Sequence, residues 1–281
     1  MSTQILSLCN HKGGVGKTTS AVNIAAGLAR CGRRVLLVDI DPQANTTQAV
    51  GLNPYTIEKT VYGVLRDKYT AGETRQTIAV PDDCKGIFHV IPSCLDLVAA
   101  ETQLVNEYNR EHLLSEHLSP IASEYDYILI DCPPSLGMLT TNALTASNAL
   151  LLPIQPHFFA VQGLQQLLDV VAKVRRGLNK ELTIGGVFLT DYNPRVKMHV
   201  DAGAAVQQAF PSEMFKTYIR HNVALSECSA RGVSIFDYDP KSNGAQDYAA
   251  LVKELIKRRF ADKQTIVVDG KIGKIKNITI K

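Results

Sequence analysis

The sequence predicts a doubly wound α/β fold, a mostly parallel sheet with helices on both faces, and three observations carry that prediction. Short apolar runs bounded by turn residues recur along the 281 residues: ILSLC (5–9), VLLVDI (35–40), FHVIP (88–92), YILID (127–131), ALLLPI (149–154) and GGVFLT (185–190). Such runs are what strands buried on both faces require. Helical patterns lie between them, as in TTSAVNIAAGLARCG, which closes on a basic residue and a Gly stop, and VQGLQQLLDVVAKVRRGLN, whose apolar residues recur at helical spacing. The residues with phosphate and metal chemistry fall at the carboxyl ends of the runs, where open α/β sheets bind ligands.

Taken in order, the first run opens into NHKGGVGKTT (10–19) and a helix. The second ends on Asp39 and Asp41, in VLLVDIDPQAN. Residues 51–86 are less regular and predict short helices and loops. The run at 127–131 ends on Asp131, followed by CPPS, and GAQDYAALVKELIKRRF (244–260) predicts a closing helix. Beyond Phe260, TIVVDGKIGKIKNITIK sets Asp269 and Gly270 between alternating apolar segments, a hairpin signal. The division is therefore one domain over 1–260 and a basic extension over 261–281, with no internal repeat.

Composition bounds the function classes. At 45% hydrophobic and 20% charged residues the chain has material for a large core and is neither disordered nor fibrous. It has no apolar run of about 18 residues and no secretion signal, so a cytoplasmic protein is expected. Six cysteines are scattered without a CxxC pair, which predicts reduced thiols rather than a zinc site or disulfide framework. Net charge is +3, yet from Lys253 onward nine Lys or Arg stand against three Asp or Glu, a local +6 that leaves about −3 for the rest. Such asymmetry permits contact with nucleic acid or an acidic surface and equally suits a solvated tail.

The loop Lys12, Gly13, Gly14, Val15, Gly16, Lys17, Thr18, Thr19 has the strand–loop–helix context of a phosphate cradle. Its glycines let backbone N–H groups surround phosphates at a helix N-terminus. Lys17 is expected at the β and γ phosphates of ATP, the Thr18 hydroxyl on Mg2+, and the Thr19 hydroxyl at the α phosphate. His11 occupies the first Gly position of the plain GxxxxGK[ST] pattern, so the fit is to KGGxGK[ST], the deviant Walker A class of P-loop NTPases. A carboxylate at the end of a strand can hold magnesium, which makes Asp131 and Asp39 metal candidates, and Asp41 is expected to orient the attacking water. For Asp39 the alternative is a role in bracing the neighbouring loop.

KGGVGKTT, VLLVDIDPQAN, YILIDCPPS and SNGAQDYAALVKEL together resemble the ParA/Soj partition ATPases of the ParA/MinD superfamily, over residues 4 to about 259. The resemblance implies a homodimer that sandwiches ATP, binds duplex DNA nonspecifically, moves cargo with a ParB-like or other activator protein, and comes apart on hydrolysis. It implies a cytoplasmic, nucleoid-associated protein. Lys12 matches the signature lysine that crosses the dimer to the partner's phosphates, Asp41 the acidic residue needed for hydrolysis, and Asp131 the Walker B carboxylate. The family's IPRNVRL adenine segment reads IRHNVAL here, so Asn222 is retained as an adenine contact and Arg220 replaces the Pro. Arg195 matches a basic position of the DNA patch, Ala224 replaces an expected Arg, and Lys197, Arg220 and Arg231 are possible substitutes.

Three other readings compete. A MinD-like protein would anchor to membranes through a C-terminal amphipathic helix, which the glycines at 270 and 273 and the spread of isoleucines fit poorly. An iron–sulfur electron donor would need paired cysteines, for which Cys94 and Cys132 are the candidates. A ligase of the dethiobiotin synthetase kind lacks a trans lysine, and Lys12 speaks against it.

Overall fold

The computed structural model describes residues 2–157 and 162–258. The hairpin expected around Asp269 and Gly270 lies outside the described residues, as does the whole 261–281 extension.

The strands are β1 (Gln4–Leu8), β2 (Arg34–Asp39), β3 (Gln76–Thr77), β4 (Ile87–Ile91), β5 (Tyr127–Asp131), β6 (Ala149–Ile154) and β7 (Thr183–Leu189). They form one sheet in the order β3-β4-β2-β5-β1-β6-β7. Every pairing is parallel except β3 with β4. The helices are α1 (Lys17–Arg30), α2 (Asn45–Ala49), α3 (Val61–Leu65), α4 (Ala71–Thr74), α5 (Ala100–Gln103) and α6 (Leu113–Ala122). They continue as α7 (Met138–Ala146), α8 (Gln165–Gly177), α9 (Lys197–Ala209), α10 (Val223–Ala230), α11 (Ile235–Tyr238) and α12 (Asn243–Arg258). The doubly wound fold is thus the observed one, and each predicted apolar run lies in a strand.

Alternation along each strand explains why both faces are helix-covered. On β2, Leu36 and Val38 enter one core with Leu114 and Leu118 of α6 and Leu167 and Val171 of α8. Val35 and Leu37 enter the other with Ile24 and Leu28 of α1 and Tyr248 and Leu251 of α12. Successive side chains point to opposite faces, so a run apolar at every position demands two cores.

The two rims of the sheet differ. Beyond β7, Val187 pairs with Met214, and the Phe215 and Ile219 N–H groups donate to Val187 and Leu189 carbonyls at 2.7 and 2.8 Å. That run closes the rim. Beyond β4, two-residue β3 was not legible in the 51–86 region, because so short a strand leaves no periodic signal.

Candidate active site

The carboxyl ends of β1, β5 and β2 stand side by side, with Leu8 opposite Asp131 and Asp131 opposite Asp39 in register. The chain turns at the end of β1 into the phosphate loop. Gly14 and Gly16 sit at φ 74° and 80°, a left-handed backbone that side-chain-bearing residues adopt at a cost. Gly16 is also the N-cap of α1, so the exposed loop feeds straight into free helix N–H groups. Three contacts fix it: Asn10 Nδ2 donates to the Pro153 carbonyl at 2.9 Å, Asn10 Oδ1 accepts the Lys12 N–H at 3.1 Å, and the Thr190 hydroxyl donates to the Val15 carbonyl at 2.9 Å.

Lys17 is buried, and its ammonium folds back over the loop to the Lys12 carbonyl at 3.3 Å. Lys12 itself is exposed. The two lysines therefore separate by environment, one inside the cradle and one on its outer surface.

Asp131 is fully buried. Its Oδ2 accepts the hydroxyls of Thr18 and Thr46, each at 2.7 Å, joining the starts of α1 and α2. Its Oδ1 is buried with no hydrogen-bond partner. An unpaired carboxylate oxygen in the interior is costly, and one next to the Thr18 hydroxyl and Lys17 suits a hard cation that takes oxygen ligands. Burial pushes the Asp131 carboxyl up to about 6, against the Thr46 and Thr18 hydroxyls and Lys17, which favour the charged form.

Asp39 accepts three hydrogen bonds at the end of β2. Its Oδ2 accepts the N–H and hydroxyl of Thr47 at 2.8 and 2.7 Å, and its Oδ1 accepts the Asp41 N–H at 3.1 Å. Both oxygens are thereby engaged, and Asp39 braces the turn from β2 into α2. Burial, with the Asp131 charge beside it, pushes its carboxyl up to about 8. Asp41 is buried at that turn, its Oδ1 accepting the Gln43 N–H at 2.9 Å and its carbonyl the Ser93 hydroxyl at 2.7 Å. Ser93 in turn donates its N–H to the Thr47 hydroxyl at 2.8 Å. Thr46, Thr47 and Ser93 escaped sequence reasoning, since isolated hydroxyl residues carry no spacing signal.

Glu101 was missed as well. Its carboxylate accepts the Met138 and Leu139 N–H groups at 2.8 and 3.4 Å, capping α7, which follows the Asp131 loop. A Cβ at Gly137 would come within 2.6 Å of either carboxylate oxygen, so only glycine admits this approach.

Asn222 is the N-cap of α10, its Oδ1 accepting the Ala224 N–H at 2.9 Å. Arg220 does not lie free beside it. Its guanidinium makes a forked pair with Asp247, Nε at 2.9 and 3.1 Å and Nη2 at 2.7 Å, and its N–H donates to the same carboxylate. Arg220 is thus held in a forked pair with Asp247. Arg195 and Lys197 are exposed at the start of α9, and exposed Arg231 stacks 5.4 Å above the Tyr238 ring.

Arg195 and Lys197 alternate along the chain with exposed Val196 and Met198, Val200 is exposed further along α9, and Val223 is exposed at the start of α10. The α9 and α10 segments are tied by His221 to Asp191 at 2.5 Å. Burial, Lys12 and His199 hold the His157 imidazole below its usual range. Cys132 is buried against Cys9, and half-buried Cys94 meets the Thr60 hydroxyl at 3.2 Å, so the two cysteines named for a cluster have other partners. No helix among the described residues is long and apolar enough to cross a membrane.

Comparison with known proteins agrees with this geometry. The family described as an AAA domain matches residues 3–184. Chromosome partitioning protein ParA of Myxococcus xanthus is 42% identical over 255 residues, covering 91% of this chain and 88% of that protein. Sporulation initiation inhibitor protein Soj of Bacillus subtilis is 43% identical over 252 residues, covering 90% of this chain and 98% of its own length. Among solved structures, cobyrinic acid a,c-diamide synthase from Mycobacterium smegmatis with bound ATP analog and magnesium superposes with a TM-score of 0.80 at 31% identity, over 91% of this chain and 94% of that one. The septum site-determining protein MinD of Pyrococcus horikoshii complexed with Mg-ADP gives 0.74 at 25% identity, over 91% and 96%. With a phosphate loop, a buried strand-end carboxylate and two relatives matched over nine-tenths of its length, the chain belongs to the ParA/Soj partition ATPases of the ParA/MinD P-loop superfamily.

Proposed function

We propose that this protein is a Mg2+-dependent ATPase that dimerises around ATP, binds duplex DNA without sequence preference in that state, and is returned to monomers by hydrolysis that an activator protein stimulates. The observation that carries the reading is the division of labour between the two lysines, Lys17 buried inside the phosphate loop and Lys12 exposed outside it. A single site needs only the first. The second serves a phosphate that belongs to another copy, a charge supplied on assembly as an arginine finger is.

Within one subunit the loop N–H groups and Lys17 would cradle the polyphosphate, and Thr18 with Asp131 would hold magnesium. The ion, when bound, neutralises charge on the phosphate oxygens. Asp41 would orient water, held for that task by Gln43 and Ser93. Asn222 would lie against the adenine. The apolar residues around α9 and α10 suit burial against a second copy, and Arg195, Lys197 and Arg231 suit phosphate contacts, which give affinity without base recognition. Cargo and activator are proposed by family alone: a centromere complex or another large assembly with its own stimulating protein, worked from the cytoplasm on the nucleoid.

The deciding experiment is binding of the Asp41→Ala protein to random-sequence duplex DNA with ATP, with ADP and without nucleotide, at two salt concentrations. ATP-dependent, salt-sensitive binding is expected. ATP-dependent dimers that ignore DNA would instead move the surface of action to a membrane or protein scaffold.

A further inference from the structure

Two cysteines, Cys31 and Cys84, stand at the end of the sheet opposite to the phosphate loop. Cys9, Cys132 and Cys228 are buried, and Cys94 follows the carboxyl end of β4 and meets the Thr60 hydroxyl. Cys31, by contrast, is exposed and Cys84 half-buried. Cys31 precedes the amino end of β2, and Cys84 that of β4.

The topology brings these two segments together. β2 and β4 are parallel neighbours, and Arg34 stands opposite Ile87 in their register. Cys31 and Cys84 precede those two residues by the same offset, so the chain enters adjacent strands with a thiol at matching positions. Neighbouring strands lie about 4.8 Å apart, inside the range of about 4.4 to 6.8 Å that the α-carbons of a disulfide occupy.

The contact continues below the strands. The Ile87 N–H donates to the Arg33 carbonyl at 3.1 Å, and a Cβ on Gly86 would collide with the Ala29 carbonyl oxygen, so the chain at 86 lies against the last turn of α1. Arg30 and Pro81, beside the two cysteines, line one groove of about 460 Å³.

Each cysteine is held on a turn. Cys31 is the C-cap of α1, its N–H donating to the Gly27 and Leu28 carbonyls at 3.1 and 3.0 Å, and Gly32 at φ 76° ends the helix behind it. The Cys84 N–H donates to the Pro81 carbonyl at 2.9 Å, and its thiol donates to Asp83 at 3.7 Å. Burial, then Asp83, hold the Cys84 thiol above its usual range; Arg30 works against them and Cys31 with them. An accessible thiol with a second thiol close by exchanges with a small disulfide in two steps, through a mixed disulfide to a bridge.

We propose that Cys31 and Cys84 are a paired thiol site that reacts with low-molecular-weight disulfides of the glutathione class and ends as an intrachain Cys31–Cys84 bridge. The Cys31 sulfur attacks one sulfur of the small disulfide, the S–S bond between its halves breaks, and the released thiolate takes the proton that Cys31 gives up. The Cys84 sulfur then attacks Cys31 Sγ, the mixed S–S bond breaks, and the second small thiolate leaves with the Cys84 proton. Two protein thiols are oxidised and one small disulfide is reduced to two thiols. The bridge ties the loop before β4 to the end of the helix that begins at the phosphate loop.

Two measurements on the folded full-length protein test this. After incubation with oxidised glutathione and acid quenching, mass spectrometry without reduction should find a monomer that has lost two hydrogens and yields a Cys31–Cys84 cross-linked peptide. Cys84→Ser should instead retain glutathione on Cys31, since nothing displaces it. Unreacted protein, a bridge between chains, a bridge to another cysteine, or a lasting glutathione adduct on the unaltered chain overturns the proposal. In hydrogen exchange, the Cys84 and Ile87 amides should exchange about tenfold more slowly in the bridged protein than in the reduced one. Equal rates overturn the tie between loop and helix. Neither readout depends on nucleotide or DNA, so failure here leaves the ATPase reading untouched.

Discussion

Asp39 and Asp131 are neighbours in register, both fully buried, and two carboxylates in that position oppose each other's ionisation. Their folded values, about 8 and about 6, lie above the ordinary 3.8, so the folded chain holds protons that the unfolded chain releases. Stability without nucleotide or metal therefore falls as pH rises from about 4 towards 8. A cation at Asp131 reverses the preference. Magnesium–nucleotide affinity should rise between pH 6 and 8, with proton release visible by calorimetry in two buffers of different ionisation enthalpy. Asp39→Asn should flatten that profile; an unchanged slope would assign the protons elsewhere. Basic residues divide in the same residue-level way. Arg195→Ala and Lys197→Ala should each lower the slope of log K against log salt for DNA by about one. Arg220→Ala should leave that slope alone and cost on the order of 1 kcal/mol of stability, its pair with Asp247 being partly exposed. The phosphate loop was legible because its residues are consecutive. The pairing of Arg220 with Asp247 was not, because it joins positions 27 apart that no spacing relates.

Among the elements, α7 depends on another segment for its cap. Gly137 offers no side chain, and Glu101 supplies the acceptor. Glu101→Ala should lower stability by about 1 kcal/mol, as loss of an N-cap does, and Gly137→Ala should do at least as much by driving the carboxylate away. Equilibrium urea unfolding of the two variants and the double variant would show less than the sum if they act through one contact. Strands whose every position is apolar announce themselves, and β1, β2, β5 and β6 were readable for that reason. β3 was not, being two residues long and set by its pairing with β4. The turn after β2 was readable in its acids but not in Thr47 and Ser93, which hold those acids in place through contacts set only by the fold.

Over the whole molecule, two cores share one sheet, so neither face can melt while the other stays ordered, and unfolding should be a single transition. Magnesium and ATP at a hundred times their dissociation constant should add about 2.7 kcal/mol. If Lys12 acts across a dimer, that gain should grow with protein concentration in the unaltered chain and become independent of it in Lys12→Ala, which differential scanning calorimetry at three concentrations would read. Equal concentration dependence would remove Lys12 from the assembly step. The division of the chain into a motor and an appendage is read from its charge and patterning alone. The unequal rims of the sheet also govern what happens when such molecules are crowded. Among the described residues one side is sealed by residues 213–219 and the other ends on β3, which leaves a single edge for pairing. Two copies meeting rim to rim exhaust it and form a closed pair. Growth into a fibre needs two open sides, and the described residues leave one.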